Sequence, residues 1–522
     1  MKIMKLSILL FVIVLSYSGI INAQNYDHNF FPIGVWSVRG DFRPVDDFLF
    51  EVDKAAAFHH KSFKDLKEQG FNSAFLSYDP IGPTLDTILD IAKLYDLKII
   101  APMQNLHQVI SRSNDDDISE NDIREAILND SIERIKKSSQ IIAYYLYDEP
   151  LPGWIDFDIL ETSKNILADM TSDAPHPIVS AWNDEQYMEY IDNFLNLDVL
   201  MMDSYPFEDG DAKGDISDYM PSYFSSMPDP LSYSDYINSV RENHCEKNNR
   251  PFWVIFQAFG DLETPENGGY WRQVYPKEIR LQVYLAIMQG AKGIWYFLYE
   301  SEFPYLLGML DVSGQPTVRL LEAIEVNKEI SAISSALLKL RVFPDQSVIN
   351  IDKGEAKLHY DTTGTLKDKY IICVNTDIFS QSQPNISIDT SALGYNLSTI
   401  VDMQNNEIIP FTIDNGKISL SPILQAGSGR LLRLSQKTLI TSEETDKDDY
   451  LVTLPNPAST NINIVTNTKI NDYRIFDLNG ILKLSGVYSG RSIPIDKLVP
   501  GVYFIRFNTE KGLITKKIFK IK

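Results

Sequence analysis

The chain has 522 residues, of which 44% are hydrophobic and 23% charged. This is the usage of globular proteins, and at about 150 residues per domain it leaves room for roughly two to four domains. The 71 Asp and Glu against 48 Lys and Arg give a net charge of −23, which repels nucleic-acid phosphates, so we expect no nucleic-acid partner.

The first residues are typical of a secretory signal peptide. Lys2 and Lys5 frame the start of an apolar run over residues 6–21, and Ala23 offers a small residue for cleavage. A run of this length is shorter than the about 20 apolar residues that a membrane-spanning helix needs. We therefore expect residues 1–23 to be removed and the mature protein to have no membrane span.

Residues 24–341 alternate short apolar runs with amphipathic stretches, which predicts repeated strand and helix units. The predicted strands are 33–38, 72–78, 98–103, 141–148, 178–182, 199–205, 252–259 and 293–299. Parallel strands need a helical crossover to return to the same end of a sheet, so this alternation predicts a (β/α)8 TIM barrel. A doubly wound open sheet is the alternative, but a Gly-rich phosphate loop is missing after the first strand.

The remaining chain predicts mainly strands. Residues 342–435 read as an accessory β-sandwich, and residues 436–450 as a polar, acidic linker. Residues 451–522 have 11 Lys and Arg against 4 Asp and Glu, a net charge of +7 that leaves −30 for the rest of the chain. Short strands separated by Asn, Gly and Pro turns predict a second, small β-sandwich there.

This last segment resembles the C-terminal sorting domain of the type IX secretion system of Bacteroidetes. The similar stretches are LPNPA at 454–458, YRIFD at 473–477 and PGVYF at 500–504, with a basic ending. The resemblance implies that residues 451–522 engage the type IX secretion machinery. It also implies that the protein is secreted or held at the cell surface.

The strongest functional motif is YYLYDEP at residues 144–150, the end of predicted strand four. Pro150 cannot donate a hydrogen bond to the sheet, so the strand should stop there and leave Glu149 at the rim of the barrel. Functional groups of TIM barrels lie at this end of the strands. Burial beside aromatic residues raises the pKa of a Glu, so we predict Glu149 as general acid and Asp148 as its partner.

The other strand ends carry carboxylates, amides and aromatic rings, a mixture suited to hydroxyl-rich neutral ligands such as carbohydrates. Asp203 and Glu300 are the further candidates for catalysis. The predicted substrate-binding residues are Trp36, Tyr78, Asn105, Trp182, Asn183, Tyr205, Gln257 and Tyr296. The seven His and two Cys show no metal-ligand spacing, so we expect neither a metal nor another cofactor.

The stretches PIGVW at 32–36 and GAKGI at 290–294, together with the Glu-Pro at 149–150, make the barrel similar to clan A glycoside hydrolases. The resemblance implies an acid/base role for Glu149. It also implies a nucleophilic Glu at the end of strand seven, where this chain has Gln257. A standard double-displacement mechanism is therefore in doubt.

Three interpretations stay open. The Asp148-Glu149 pair resembles the acidic pair of family 20 and family 123 hexosaminidases, in which the acetamido group of the substrate attacks. Alternatively, Asp203 or Glu300 acts as base or nucleophile. The third interpretation is a surface protein that binds glycans on a degenerate barrel without cutting them.

Overall fold

A computed structural model describes the chain in two compact units, residues 1–436 and 437–522. The described residues are 27–38, 52–76, 82–183, 188, 190–208, 232–262, 271–302, 305–363, 368–436, 451–454, 458–466, 469–477, 481–488, 492–510 and 512–521. The predicted signal peptide, residues 437–450 of the predicted linker and Tyr78 lie outside them.

Eight parallel strands close a barrel in chain order, and the eighth strand pairs with the first. The strands are β1 Ile33–Val38, β2 Ser73–Leu76, β3 Lys98–Ala101, β4 Ile141–Asp148, β5 Ile178–Trp182, β6 Leu200–Ser204, β7 Phe252–Gln257 and β8 Ile294–Phe297. The predicted TIM barrel is confirmed.

Helices connect the strands and pack around the barrel. They are α1 Val52–Glu68, α2 Gly82–Leu94, α3 Gln104–Ser111, α4 Glu120–Asn129, α5 Ile132–Ile135, α6 Phe157–Met170, α7 Tyr233–Val240, α8 Pro276–Met288 and α9 Val318–Leu337. The sequence predicts one helix over 120–137, but Ser131 adopts φ +61° and separates α4 from α5. Within the described ranges, no helix is long and apolar enough to cross a membrane.

The alternation of side chains along each strand divides the core of the barrel into two layers. Tyr145, Trp253 and Trp295 belong to the cluster inside the barrel. The other face of each strand packs against the helices in a larger cluster. Strand β1 passes close to Trp295, and a Cβ at Gly34 would overlap its ring, so this position needs glycine.

Two antiparallel sheets follow the barrel within the first unit. The six-stranded sheet has the order Leu340–Val342, Glu355–Asp361, Lys369–Val374, Gly429–Gln436, Leu397–Asp402 and Glu407–Ile408. The four-stranded sheet has the order Ile349–Ile351, Ile386–Asp389, Lys417–Leu420 and Phe411–Asp414. Leu358 and Ile371 of the first sheet share a core with Ile388 and Ile418 of the second, as in a β-sandwich.

The second unit is also built from two antiparallel sheets. One has the order Leu451–Leu454, Asn461–Thr466 and Ile493–Pro494, and the other has the order Leu482–Val487, Ile470–Asp477, Gly501–Thr509 and Gly512–Lys520. Ile462 and Ile493 of the first sheet pack with Ile475 and Ile505 of the second in one core. The predicted small β-sandwich is confirmed.

Candidate active site

The end of β4 is irregular where the sequence predicts the acidic pair. Strand β4 pairs with β5 in register as far as Tyr145 and Val179, and the register then shifts before Asp148 pairs with Ala181. A bulge of this kind redirects the side chains that follow it. Glu149 adopts φ +41°, in the left-handed region, which costs a side chain other than glycine about 1 to 2 kcal/mol. Strain of this kind is often found at functional sites.

Carboxyl groups from β4 and β6 meet at this end of the barrel. Glu149 and Asp203 are hydrogen-bonded to each other, and Asn183 makes a further hydrogen bond to Glu149. Burial, and then the charge of Asp148, raises the pKa of Glu149 to about 7. Burial and the charge of Glu149 hold the pKa of Asp203 well above its usual range, so Asp203 is the neutral, proton-donating member of the pair.

Asp148 lies beside this pair on a concave surface. Water reaches its side chain, yet protein atoms surround it on most sides, and this enclosure raises the pKa of the carboxyl group. The hydroxyl group of Tyr145 donates a hydrogen bond to it. That bond and the charge of His107 oppose the rise in pKa. Asp148 is therefore a fixed hydrogen-bond acceptor that faces an open pocket.

The pocket next to Asp148 has a volume of about 300 Å³. One side is aromatic, because the rings of Trp36 and Phe75 stack with centroids 4.1 Å apart and Tyr145 meets Trp36 edge-on. The full set of lining residues is Trp36, Phe75, Pro102, Met103, Gln104, His107, Gln108, Tyr145 and Asp148. Aromatic faces opposite amide groups are the combination that binds sugar rings.

Helix α3 supplies the polar side of the pocket, where His107 and Gln108 were not predicted from the sequence. The helix begins at Gln104, so Gln104, His107 and Gln108 share one face at spacings of three and four residues. Burial lowers the pKa of His107, against the charge of Asp148. The signal that could have identified these residues is that α3 begins only a few residues after the short strand β3 ends.

Asn105, which the sequence predicts as a substrate contact, lies next to Gln104 but serves another purpose. Its backbone N and its Nδ2 both donate to Oδ1 of Asp130, each at 2.7 Å. One residue further along a helix turns the side chain by about 100°. The structure therefore gives Asn105 a role in holding the start of α3, which corrects the prediction.

Four other predicted residues come together around Glu149. Asp203 and Asn183 bond to Glu149, and Tyr205 bonds to Asp203. The ring of Tyr205 meets Trp271 edge-on at 5.6 Å. The fourth residue, Trp36, lines the adjacent pocket, where only 6% of it is exposed.

Trp182 and Tyr296 lie on the opposite face of their strands from the site. Both belong to the core between the strands and the helices and are almost completely buried. The hydroxyl group of Tyr296 donates to Asn327 of α9 at 3.0 Å. A strand reverses the direction of its side chains at every residue, so these two point away from the barrel axis, which corrects the prediction.

Gln257 ends β7 and is completely buried. Its Oε1 accepts a hydrogen bond from the backbone N of Phe207 at 2.9 Å, and its Nε2 donates to the carbonyl oxygen of Phe207 at 3.0 Å. Its own backbone pairs in the same reciprocal way with the side chain of Gln282. Gln257 therefore connects β7 to the loop at Phe207 and, through Gln282, to helix α8. It is not placed to contact a substrate, which corrects the prediction.

The remaining candidates are Glu300 and Tyr78, and Tyr78 lies outside the described residues. Glu300 follows β8 and is 9% exposed, and its backbone forms an isolated β-bridge with Leu310. The role of Glu300 in catalysis stays a prediction, as does the role of Tyr78 in binding the substrate. Among the described residues, no group of three or more His, Cys, Asp or Glu side chains is arranged to hold a metal ion.

Comparison with known families identifies the end of the chain. Residues 453–522 match the family described as Secretion system C-terminal sorting domain. The chain therefore carries the sorting domain that its sequence resembles, and this domain directs export to the cell surface or beyond. No curated protein matches the chain significantly.

Several solved structures with a similar fold are glycoside hydrolases. A family 5 glycoside hydrolase from Bacteroides vulgatus is 14% identical and has a TM-score of 0.51, over 79% of this chain and 91% of its own. An α-amylase from Geobacillus thermoleovorans is 12% identical with a TM-score of 0.46, over 78% and 98%. An α-L-fucosidase from Paenibacillus thiaminolyticus is 9% identical with a TM-score of 0.43, over 78% and 97%. At 14% identity, the family 5 structure shows the fold alone.

Proposed function

We propose that the protein is a secreted glycoside hydrolase of oligo- or polysaccharides, with Glu149 as general acid/base and Asp148 as its partner. The observation that carries the proposal is the placement of Glu149, a strained carboxyl group at the end of β4 that is hydrogen-bonded to Asp203 and Asn183 and whose burial raises its pKa to about 7. A group with this pKa holds and releases its proton near neutral pH, as protonation of a leaving glycosidic oxygen requires.

The contact between Glu149 and Asp203 favours one of the open mechanisms. In retaining and inverting enzymes the second carboxyl group stands about 5 to 9.5 Å from the acid, with the anomeric carbon or a water molecule between them. Asp203 is hydrogen-bonded to Glu149 itself and leaves no such space. In this proposal Asp203 holds Glu149 in place and does not attack the sugar.

Asp148 then takes the role of orienting the substrate. It faces the pocket as a hydrogen-bond acceptor, with its position fixed by Tyr145. An acetamido N–H donated to Asp148 would aim the acetamido oxygen at the anomeric carbon, so that the substrate supplies its own nucleophile. Glu149 protonates the leaving oxygen in the first step and takes a proton from water in the second. This scheme needs no carboxylate at the end of β7.

Gln257 supports a second candidate function, a non-catalytic glycan-binding protein. The end of β7 holds a buried amide in place of a carboxylate. If Glu149 does not transfer a proton, the aromatic and amide groups around the pocket still suit sugar binding. The two functions differ in whether a glycosidic bond breaks.

The test is reducing-sugar release by the full-length chain across a glycan panel that includes N-acetylhexosaminides. Glu149→Gln is the paired variant, and Glu125→Gln, on the exposed surface of α4, is the matched control. Removal of a general acid should lower kcat by about 10² to 10⁴. Release that Glu149→Gln abolishes and Glu125→Gln retains supports the hydrolase. Binding without release from any glycan supports the second function.

A further inference from the structure

The four-stranded sheet of the second unit has one face in the core and one exposed face. Along the strand Gly501–Thr509, Tyr503, Ile505 and Phe507 are buried in the core of this unit. Side chains alternate between the two faces of a strand, so the residues between these three lie on the opposite face. Register partners on the neighbouring strands complete this surface, which we call the outer face: Arg474, Phe476, Phe504, Arg506, Lys517 and Phe519.

Two arginine residues lie directly opposite each other on the outer face. Arg474 and Arg506 are register partners on adjacent antiparallel strands, and both are exposed. Within the described part of the chain, neither of them forms an ion pair. The carboxylate of Asp472, on the same face, accepts a hydrogen bond from Nδ2 of Asn508 at 2.8 Å. Like charges directly opposite each other destabilise a sheet, so this pair costs the unit stability that an anionic partner would restore.

Phenylalanine rings lie beside the positive charges. Phe476 and Phe504 are register partners, and the guanidinium group of Arg506 lies over the ring of Phe476, 5.3 Å from its centroid. The Nζ of Lys517 lies 4.9 Å from the centroid of Phe519. Phe504 and Phe519 are each 38% exposed. Arginine and aromatic side chains are enriched in protein interfaces, and here they alternate on one exposed surface.

The charge of the unit and its family indicate the kind of partner. Residues 451–522 have a net charge of +7, whereas the rest of the chain has −30. Residues 453–522 match the secretion sorting domain, so a component of the secretion machinery has to recognise this unit. A surface of positive charges and apolar rings is complementary to a surface of acidic and apolar side chains.

We propose that the outer face docks on an acidic protein surface of the secretion machinery, with Arg474 and Arg506 as paired cations and Phe476 and Phe504 as apolar contacts. Each guanidinium group can bind a carboxylate through two parallel hydrogen bonds. Carboxylates brought between the two arginine residues also remove the repulsion between them. The core face of the same sheet is buried and takes no part.

The experiment measures export of the full-length chain in a bacterium that has a type IX secretion system, as the ratio of protein outside the cells to protein in the periplasm. Arg506→Glu reverses one charge and forms an opposite-charge pair with Arg474, so calorimetry should show a second unit that is more stable by a few degrees. The exported fraction should nevertheless fall about tenfold, because like charges then meet across the docking surface. Loss of export by a more stable variant cannot come from unfolding.

Lys497→Glu is the matched control. It makes the same change of charge at an exposed residue of this unit outside the sheet, and its export should equal that of the wild type. Phe504→Ala removes one exposed ring and should lower export about fivefold. If Arg506→Glu is less stable than the wild type, Phe504→Ala decides.

Two results would overturn the proposal. One is equal export of Arg506→Glu, Phe504→Ala and Lys497→Glu. The other is binding of the full-length wild type to vesicles of phosphatidylcholine and phosphatidylglycerol in equal parts, lost in Arg506→Glu and retained in Lys497→Glu. That result would assign the outer face to an anionic membrane surface, whereas the proposal expects equal and weak binding of these vesicles by all three chains.

Discussion

The ends of β4 and β7 occupy equivalent places in the barrel and have different properties. At the end of β4, Glu149 is strained, shares a hydrogen bond with Asp203 and has its pKa raised to about 7. At the end of β7, Gln257 is completely buried and forms hydrogen bonds to backbone groups at both ends of its amide. One strand end holds a strained carboxyl group with a raised pKa, and the other holds an amide that connects parts of the fold.

The difference shows that a polar residue at the end of a barrel strand need not be functional. The two positions differ in the hydrogen-bond partners of their polar atoms. The amide of Gln257 matches one backbone N–H and one carbonyl oxygen of Phe207, as a structural amide does. The carboxyl group of Glu149 depends on other ionisable groups, and such groups change state with pH and with ligands.

The largest expected effect is a loss of stability caused by a substitution at the end of β7. Gln257→Leu keeps the volume but leaves the backbone N–H and carbonyl oxygen of Phe207 buried without partners. We expect a loss of about 2 to 6 kcal/mol in the free energy of unfolding, at about 1 to 3 kcal/mol for each unsatisfied group. Urea unfolding followed by tryptophan fluorescence measures it, because all six Trp lie in the first unit.

A second substitution at the same position, Gln257→Glu, tests whether the end of β7 can act on the substrate. The substitution introduces a carboxylate at this strand end, where the resemblance to clan A enzymes implies one, yet the side chain should stay buried against Phe207. We expect no gain in hydrolysis and a loss of stability, since a carboxylate cannot donate to the carbonyl oxygen of Phe207. Increased sugar release would mean that this position does reach the substrate.

The second prediction concerns how the ionisation of Glu149, at the end of β4, changes the stability of the protein with pH. Glu149 has a pKa of about 7 in the folded chain, above its ordinary value of 4.5, so ionisation costs stability as pH rises between these values. The amide that Glu149→Gln introduces cannot ionise. This variant should therefore match the wild type near pH 4 and exceed its stability by about 3 kcal/mol above about pH 7. Denaturant unfolding at several pH values checks this, and a difference independent of pH would contradict it.

The third prediction concerns the effect of Asp203 on the pKa of its neighbour Glu149. A general acid must be protonated, so kcat/KM of the wild type should fall as pH rises through about 7. Asp203 donates a hydrogen bond that lowers the pKa of Glu149. Asp203→Ala should move the fall toward higher pH by about one unit, the equivalent of about 1.4 kcal/mol.

Asp203→Asn provides the control for this shift, because its amide keeps a donor in the same place. We expect a smaller displacement of the pH profile than for Asp203→Ala. A move toward lower pH in Asp203→Ala would mean that Asp203 carries a charge in the free enzyme.

The sequence predicts the fold well because its signals are local and repeated. Every predicted barrel strand is present, and the YDEP ending of β4 places Glu149 at the rim as expected. The failures concern the direction of single side chains. Trp182 and Tyr296 lie on strands whose ends were predicted correctly or within two residues, but they face the helices. A shift of one residue in a strand reverses the face, and the sequence does not specify that shift.

The missed residues have a related cause. Gln104 and Asn105 are adjacent in the sequence, and only the exact start of α3 decides which of them faces the pocket. The partner of Gln257 is a backbone segment 50 residues away. Contacts of this range leave no periodic pattern, so they could not be predicted from the sequence.

The smallest expected effect tests the pocket beside β4. Gln108 is exposed and lines the pocket from α3, opposite the aromatic side. Gln108→Ala removes a neutral hydrogen bond to a sugar hydroxyl, worth about 0.5 to 1.5 kcal/mol, so KM should rise about two- to tenfold. kcat should stay unchanged, because the contact is the same in the ground and transition states. Asn129→Ala, at the end of α4, is the matched control, and an equal change in both variants would place the sugar elsewhere.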